Sequence, residues 1–225
     1  MEPDPVQVQE FGAELTEEEW ADLARRGRPR RLRAGTPLLV EGTRSDTVFV
    51  MISGRVKVFT SAQDGTEVIL AVLGPGALLG EFAAIDQQPH SASIRPVEPV
   101  EVVAVRSREF TAFLQAHPRT MWLLLRILTG RLRDTDRTRN EFGVHDTLSR
   151  VARRLVELVD RFGEPTESGI RITLPLTQDE LASWVGASRE AVTKAFRTLR
   201  ACGCVRTQRR MITVVDIEGL RRRAC

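Results

Sequence analysis

Residues 177–200 read TQDELASWVGASREAVTKAFRTLR and form the most informative stretch of the sequence. Thr177 followed three positions later by Glu180 is a capping-box pattern, which predicts the start of a helix. Gly186 supplies the positive φ that a tight turn needs, and Ser188 predicts the cap of a second helix. A helix, a turn containing glycine and a second capped helix together predict a helix-turn-helix.

Apolar residues on the two predicted helices recur at helical spacing, so each helix has one face to bury. The residues expected to lock the helices together are Ala182, Val185, Val192 and Phe196. The buried face of the second helix is predicted to comprise Ala191, Val192, Ala195, Phe196 and Leu199.

The opposite face of the second helix is polar and typical of a recognition helix, whose first turn contacts base edges in the major groove. Arg189 can donate two hydrogen bonds to guanine, and Glu190 can accept one from cytosine N4. The alternative is an ordinary capped surface turn, but a wing-like segment, VRTQRRMITVVD at 205–216, follows. The predicted DNA-contacting residues are Thr177, Gln178, Ser188, Arg189, Glu190, Thr193, Lys194 and Arg197.

The charge distribution supports a nucleic-acid partner. The chain has 225 residues and a net charge of +3, but residues 146–225 alone carry 15 basic and 10 acidic side chains. Such a basic segment suits the phosphate backbone of DNA. No long apolar run and no signal peptide are evident, so we expect a cytoplasmic protein without a membrane partner. Cys202, Cys204 and Cys225 predict reduced thiols rather than a disulfide framework or a zinc site.

Upstream of the basic segment, residues 31–107 alternate short apolar runs with turn signals. Runs at 47–53, 55–61, 67–73 and 100–106 are rich in β-branched residues and predict strands. Several short strands at nearly even spacing favour a small antiparallel barrel or roll. Thr16, followed by glutamates, predicts a helix over 16–26 in front of it.

The period becomes helical after the last of these strands. A short helix is predicted over 107–118 and a longer one over 119–144. A narrow apolar stripe on the longer helix suits dimerisation, although it also suits packing on the roll. The stripe comprises Met121, Leu124, Leu125, Leu128, Leu132 and Thr135. In the C-terminal segment we predict a helix over 147–163, a loop over 164–169, a strand over 170–176 and, after the helix-turn-helix, a final hairpin.

Taken together, residues 20–220 resemble the CRP/FNR superfamily of bacterial transcription regulators. The resemblance rests on the glycine-punctuated roll, the long helix, the motif SREAVTKAFRTL and the wing. It implies an α+β fold: an N-terminal cyclic-nucleotide-binding β-roll of jelly-roll type, a long dimerisation helix and a C-terminal winged helix-turn-helix. The implied domains are a sensor at 1–118, the dimerisation helix at 119–145 and a DNA-binding domain at 146–225.

The resemblance also gives a role to GEFAAIDQQPHSAS at 80–93, which looks like the family's phosphate-binding cassette. Gly80 lets backbone approach an anion, Glu81 can accept from a ribose hydroxyl, and Ser91 can donate to phosphate. Where the family has an arginine before that serine, this chain has His90, which is mostly neutral at pH 7. The predicted ligand-binding residues are Gly80, Glu81, Phe82, Ala83, His90, Ser91, Arg131, Thr135 and Asp136.

Three functions are compatible with these patterns. The first is a homodimeric transcription regulator that binds a palindromic DNA operator, contacts RNA polymerase and is gated by cAMP or another cyclic nucleotide. The second is a constitutive DNA-binding protein whose nucleotide pocket is degenerate, because His90 and Asp136 depart from the family. The third, an enzyme with a regulatory cyclic-nucleotide domain, lacks any HExxH, GxSxG or P-loop motif. No metal cofactor is expected, because neither an iron–sulfur cluster nor a haem has its usual ligands.

Overall fold

The computed structural model describes residues 10–62, 65–144, 146–174, 176–208 and 210–224, and the side chains of all of these except 137–144. The chain divides into two compact units. The first contains residues up to Ser61 and Ile69–Thr135, and the second contains Ala62–Val68 and the residues from Asp136 onward. The three-part domain division stays a prediction. Within the described residues, no helix is both long and apolar enough to cross a membrane.

The first unit is built on two antiparallel sheets. Its strands are β1 Gly27–Leu32, β2 Thr47–Ser53, β3 Val56–Ser61, the part of β4 (Glu67–Leu73) from Ile69 onward, β5 Leu78–Leu79, β6 Ser93–Pro96 and β7 Val100–Arg106. One sheet has the order β1-β7-β2-β5 and the other β4-β3-β6. The strands predicted over 47–53, 67–73 and 100–106 have the predicted bounds, because turn residues delimit each of them in the sequence. The predicted β-roll is confirmed.

Helices pack on the outer face of the roll. They are α1 Glu17–Arg26, α2 Glu81–Asp86, α3 Ser107–Ala116 and the part of α4 (Pro118–Val144) up to Thr135, with a short 3-10 turn at Phe11–Glu14. The cluster that joins them to the first sheet includes Phe11, Leu23, Val48, Val103, Phe110, Phe113, Leu123, Leu124 and Ile127. The predicted helix after Thr16 is present and begins with a capping box, since the Thr16 amide donates to Glu19 at 2.8 Å.

Pro118 begins α4 instead of ending α3. The preceding helix stops at Ala116, and His117 is its C-cap. Proline is favoured at the first position of a helix, where its missing N–H would have no intrahelical partner. The prediction that α3 extends to Pro118 is therefore wrong by two residues, and the start of the long helix moves from 119 to 118.

The apolar residues of α4 lie on two faces, not one. Leu124 is only 3% exposed and packs with Leu123 and Ile127 on the roll, and Leu128 is half-buried against the same cluster. On the other side, four large apolar side chains are exposed: Met121 at 42%, Trp122 at 70%, Leu125 at 47% and Leu132 at 62%. The prediction of one seam containing Leu124 is thus wrong, because 3.6 residues per turn place Leu124 with Ile127.

The second unit is a set of helices with a small sheet. Its elements are α5 Thr147–Phe162, β8 Gly163–Thr166, β9 Gly169–Ile172, α6 Gln178–Val185, α7 Arg189–Ala201, β10 Val205–Gln208, β11 Met211–Val214 and α8 Ile217–Arg223. The sheet has the order β10-β11-β9-β8. α5 buries one face made of Val151, Ala152, Leu155, Leu158 and Val159.

This unit differs from the prediction in part of its sheet and at its C-terminal helix. The segment 164–169, predicted as a loop, forms most of a hairpin in which Thr166 pairs with Gly169. The sequence did not predict these strands, because β8 is largely exposed and lacks apolar alternation. β9 ends at Ile172 rather than at residue 176. The helix α8 was not predicted, although Asp216 caps it by accepting from the Gly219 amide at 2.8 Å.

Candidate functional site

The first unit contains a cavity of about 90 Å³ in the region of α2. Its wall includes apolar side chains of the roll and six of the predicted ligand-binding residues. These six are Gly80, Glu81, Phe82, His90, Ser91 and Arg131, and the apolar part includes Leu39, Val58, Leu73, Leu79 and Ile94. The fold thus brings together residues that are up to 51 positions apart in the sequence, which supports their assignment to one site.

Gly80 determines how the backbone enters α2 at the edge of this cavity. It is the N-cap of α2 and has a φ of +80°. A Cβ atom at this position would lie 3.0 Å from the carbonyl oxygen of Thr47, so any other residue would be strained there. The glycine allows close approach of backbone to backbone, and it sets the direction in which α2 begins.

Arg131 reaches from α4 to Glu81, the first residue of α2. Its Nη1 donates a hydrogen bond to Glu81 Oε1, and its Nη2 donates to the Leu78 carbonyl at 3.3 Å. The Glu81 side chain is only 4% exposed. Burial raises the pKa of Glu81, and the positive charge of Arg131 opposes that rise. The two charged groups of the cavity are therefore paired with each other.

His90 is buried and anchored on one side. Its Nε2 lies 2.8 Å from Ser45 Oγ, and its backbone amide donates to the Thr43 carbonyl at 2.9 Å. Burial lowers the pKa of His90, so the imidazole is neutral at pH 7. When the Ser45 hydroxyl donates to Nε2, Nδ1 carries the proton and is the nitrogen left for a ligand.

The other predicted ligand-binding residues differ in their exposure and in whether they line the cavity. Ser91 is exposed at its mouth, and Ala83 is buried beside it without lining it. Thr135 and Asp136 are exposed on α4 and do not line the cavity within this chain. The Thr135 hydroxyl donates to the Arg131 carbonyl at 2.9 Å.

The helix-turn-helix in the second unit has the predicted local geometry. Thr177 and Glu180 form the full capping box, with the Thr177 amide donating to Glu180 Oε2 at 3.0 Å. Gly186 has a φ of +60°, and Ser188 Oγ accepts from the Ala191 amide at 3.2 Å. The residues that join the two helices, Ala182, Val185, Val192 and Phe196, are buried as predicted. Ala191 is half-buried, which corrects its assignment to the buried face.

The first turn of α7 presents charged groups to solvent. Arg189 is 65% exposed, with its Nε 3.4 Å from Asp179 Oδ1. Such an exposed pair is weak, so DNA can compete for the guanidinium. A hydrogen bond from its own backbone amide lowers the pKa of Glu190, and a hydrogen bond with the Ser188 side chain and the charge of Arg189 act in the same direction. The Glu190 carboxylate is thus an ionised acceptor. Lys194 and Arg197 are exposed further along α7.

Two predicted DNA-contacting residues also touch each other. The Thr193 hydroxyl donates to Gln178 Oε1 at 3.0 Å, which links α7 to the first turn of α6. Thr177 is half-buried as the cap of α6, and Gln178 is exposed. The fold therefore places Gln178 beside Thr193, near the exposed start of α7.

Some candidate residues were not identified from the sequence. Ser45 contacts His90 across 45 positions, and no local pattern signals that pairing. Arg206 and Arg210 are exposed in the wing and can approach phosphates. Both belong to the segment VRTQRRMITVVD, so its basic composition was the available signal. Within the described residues, no group of three or more His, Cys, Asp and Glu side chains could hold a metal ion.

Two family models match the two units. A model of the cyclic nucleotide-binding domain matches residues 29–117, and a model of the Crp-like helix-turn-helix domain matches residues 149–223. These matches cover most of the chain and coincide with the cavity and with the capped helix pair. The chain belongs to the CRP/FNR family of transcription regulators.

Several similar proteins are transcription regulators of this class. The chain is 33% identical over 204 residues to the CRP-like cAMP-activated global transcriptional regulator of Mycobacterium tuberculosis, covering 91% of both chains. It is 31% identical over 189 residues to the cyclic AMP receptor protein of Thermus thermophilus, covering 84% of both. The solved structure of the c-di-GMP-responsive regulator CLP from Xanthomonas campestris has a TM-score of 0.79 at 22% identity, covering 88% of this chain and 99% of that one, which shows a shared fold.

Proposed function

We propose that the protein is a homodimeric, sequence-specific DNA-binding regulator whose DNA affinity is controlled by a cyclic nucleotide such as cAMP. The observation that carries the proposal is the exposed first turn of α7, which Ser188 caps and which presents Arg189 and Glu190. A bacterial cytoplasm is the expected compartment, and RNA polymerase is the expected further partner of a transcription regulator.

The DNA contacts follow from the side chains on α7. Arg189 has the planar fork that pairs with guanine O6 and N7, and ionised Glu190 accepts from cytosine N4. Lys194 and Arg197 are exposed cations for phosphate or base contacts. Two-fold symmetry would present two such helices, so the operator is expected to be a palindrome with half-sites one helical turn apart.

The proposed dimer rests on the exposed apolar face of α4. Met121, Trp122, Leu125 and Leu132 are 42% to 70% exposed, although they are large apolar side chains. With 3.6 residues per turn, all four lie on the side of α4 opposite Leu123 and Ile127. An apolar stripe of this length on one helix suits a second copy of the same helix.

The cyclic-nucleotide ligand is supported by the cavity and by the relatives. The cavity offers Gly80 for close backbone approach, Ser91 as a hydroxyl donor and Arg131 as a permanent cation. The names of two relatives specify cAMP. In the proposal Glu81 accepts from the ribose, His90 and Ser91 face the phosphate, Phe82 lines the cavity and Ala83 packs beside it. Thr135 and Asp136 contact the base from the partner subunit.

One observation favours a second candidate function, a constitutive DNA-binding protein. Both polar anchors of the cavity already have protein partners, since Arg131 pairs with Glu81 and His90 with Ser45. A ligand must exchange these contacts for its own. If it cannot, the cavity is structural and DNA binding is independent of nucleotide.

Calorimetry and DNA binding together test the two candidates. The full chain is titrated with cAMP, cGMP and AMP, and its sites are selected from random duplex DNA with and without cAMP. The proposal expects cAMP to bind at millimolar concentration or tighter and to raise affinity for a palindromic site. Binding to the same site with equal affinity in both conditions would instead establish the constitutive function.

A further inference from the structure

Cys202 and Cys204 lie at the turn between helix α7 and wing strand β10, with their sulfur atoms 3.1 Å apart. Cys202 is the C-cap of α7 and is exposed, whereas Cys204 is only 1% exposed. A disulfide bond measures about 2.05 Å, so the sulfurs need to approach by about 1 Å to form one. The proposed DNA contacts use neither thiol.

The backbone of this turn holds the two thiols on the same side. Gly203, between them, has a φ of +74°, which reverses the chain direction after the helix. The Cys204 amide donates to the Leu199 carbonyl at 3.0 Å, and the Cys204 carbonyl accepts from the Val215 amide at 2.8 Å. Cys204 is thereby fixed, while Cys202 faces solvent.

The environments of the two sulfurs differ in a way that suits sequential chemistry. Partial burial opposes ionisation of Cys202, but hydrogen bonding with Cys204 and the charge of Arg223 outweigh it and lower the pKa of its thiol. Burial and the neighbouring Cys202 raise the pKa of Cys204 to about 11. An exposed thiol with enhanced thiolate character next to a second thiol is the usual arrangement of oxidation-sensitive cysteines.

We propose that Cys202 and Cys204 are a reversible thiol-oxidation site, at which a hydroperoxide converts the two thiols to a disulfide. The Cys202 thiolate attacks one peroxide oxygen, an S–O bond forms and the O–O bond breaks. The leaving oxygen takes up a proton as an alcohol or as water. Cys204 then attacks the sulfenic sulfur, an S–S bond forms, the S–O bond breaks, and the hydroxyl group leaves as water with the proton of the Cys204 thiol. The two sulfurs lose two electrons, which reduce the hydroperoxide.

The bond would alter the link between the recognition helix and the wing. Arg200 Nη1 donates to Thr207 Oγ1 at 3.0 Å across this turn, so α7 and β10 are already coupled on either side of the cysteines. A disulfide between residues two positions apart closes a small, strained ring, and strained disulfides are readily reduced again. The site therefore suits reversible control of DNA binding, a consequence that rests on the proposed function.

Mass spectrometry of the full chain tests the oxidation itself. Cys225, which lies outside the described residues, is replaced by serine so that two thiols remain. After treatment with hydrogen peroxide and alkylation, trypsin releases residues 201–206 as one peptide, because Arg200 and Arg206 flank it. We expect this peptide to carry no alkyl group and to be lighter than the reduced peptide by two hydrogen atoms. Treatment with dithiothreitol should make both thiols available for alkylation again. Two alkylated thiols, a sulfinic acid or a disulfide-linked dimer would each overturn the proposal.

Two variants in the same background assign the roles. Cys204→Ser should stop at a sulfenic acid on Cys202 that dimedone traps. Cys202→Ser should leave Cys204 unoxidised at the same peroxide concentration, because Cys204 is buried. Equal reaction of the two single variants would overturn the assignment of Cys202 as the attacked thiol.

Fluorescence anisotropy with a selected DNA site tests the consequence. We expect the oxidised protein to bind severalfold more weakly than the reduced protein, and Cys202→Ser to be insensitive to peroxide. Equal affinity of the two redox forms would overturn control of DNA binding. Failure of the reduced protein to bind any DNA would contradict the proposed function instead, while the mass readout would still decide on the disulfide.

Discussion

Arg131 on the long helix and Glu81 at the start of α2 form an ion pair across the candidate ligand cavity, although 50 positions separate them in the sequence. Glu81 is almost fully buried, and burial raises its pKa against the influence of Arg131. A carboxyl whose pKa is raised by folding binds more protons in the folded state than in the unfolded state. Its contribution to stability is therefore lost as pH rises above about 4.3, the ordinary value for glutamate.

Arg131→Met should destabilise the first unit more at pH 8 than at pH 5. Without the guanidinium, the pKa of Glu81 rises further, and keeping this carboxylate ionised at pH 8 is costly. At pH 5 the carboxyl can take up a proton, so less is lost. We expect a loss of about 1–3 kcal/mol at pH 8, measured by urea unfolding at both pH values.

Arg133→Met is the matched control, because Arg133 is an exposed arginine on the same helix. It should change the free energy of unfolding by less than about 0.5 kcal/mol at either pH. An equal loss for Arg131→Met at pH 5 and pH 8 would show that packing of the long side chain, and not its charge, stabilises the unit.

The helix-turn-helix could be predicted from the sequence because its signals are local. Thr177 with Glu180, Gly186 and Ser188 each act within four residues, and each has the predicted geometry. The cavity could be predicted only because residues 80–93 resemble the phosphate-binding cassette of a known family. Nothing local in the sequence pairs His90 with Ser45, since such contacts arise from the packing of strands and loops distant in the chain.

The two faces of α4 show a different limit. Leu124 and Leu125 are adjacent leucines with equal hydrophobicity, yet the first is buried on the roll and the second is 47% exposed. Helical periodicity separates the two faces, but it does not show which face meets the roll. That choice is made by the position of the helix on α3 and the first sheet, which a single sequence does not reveal.

Leu132→Asp should convert the proposed dimer to a monomer. Leu132 is 62% exposed on the outer apolar face, and a carboxylate there would have to be desolvated in a helix–helix interface. Sedimentation velocity should show the monomer, with an unchanged helical circular dichroism signal. DNA affinity should fall as well, because one recognition helix then acts alone.

Leu124→Ala provides the contrast to that variant. It should lower the free energy of unfolding by about 2–4 kcal/mol, since it leaves a cavity in the core, but the folded protein should remain dimeric. A Leu132→Asp protein that still sediments as a dimer would place the interface elsewhere.

Arg189→Ala should weaken binding to the selected DNA site by about tenfold to a hundredfold and relax the preference at one G·C pair. The exposed ion pair with Asp179 does not prevent the guanidinium from contacting DNA, because such pairs are weak. Competition anisotropy with sites changed at single base pairs measures both effects. Arg108→Ala, which removes an exposed arginine of the first unit, should change neither. Uniform weakening across all sites would mean that Arg189 contacts phosphate alone.

The affinity for cAMP should rise as pH falls from 8 towards 6. Burial lowers the pKa of His90 in the unliganded protein, so the imidazole is mostly neutral at pH 7 and above. A phosphate in the cavity would raise that pKa, and binding would then be coupled to uptake of a proton. Because the unliganded pKa lies below its ordinary value, the increase in affinity should continue below pH 6.5. Calorimetry in two buffers of different ionisation enthalpy measures this proton uptake.

His90→Arg should bind cAMP more tightly than the parent and lose the pH dependence. Arginine supplies a permanent charge and a planar fork, and a charge-assisted hydrogen bond to phosphate corresponds to about tenfold to a hundredfold in affinity. His90→Gln is the control, since it keeps a neutral donor: it should lose the pH dependence without gaining affinity. A His90→Gln variant that keeps the pH dependence would assign the proton to another group.

If parent and His90→Arg both fail to bind any cyclic nucleotide at millimolar concentration, the cavity is not a nucleotide site. The contacts of Arg131 with Glu81 and of His90 with Ser45 would then be purely structural and would not be exchanged for a ligand. DNA binding would be constitutive.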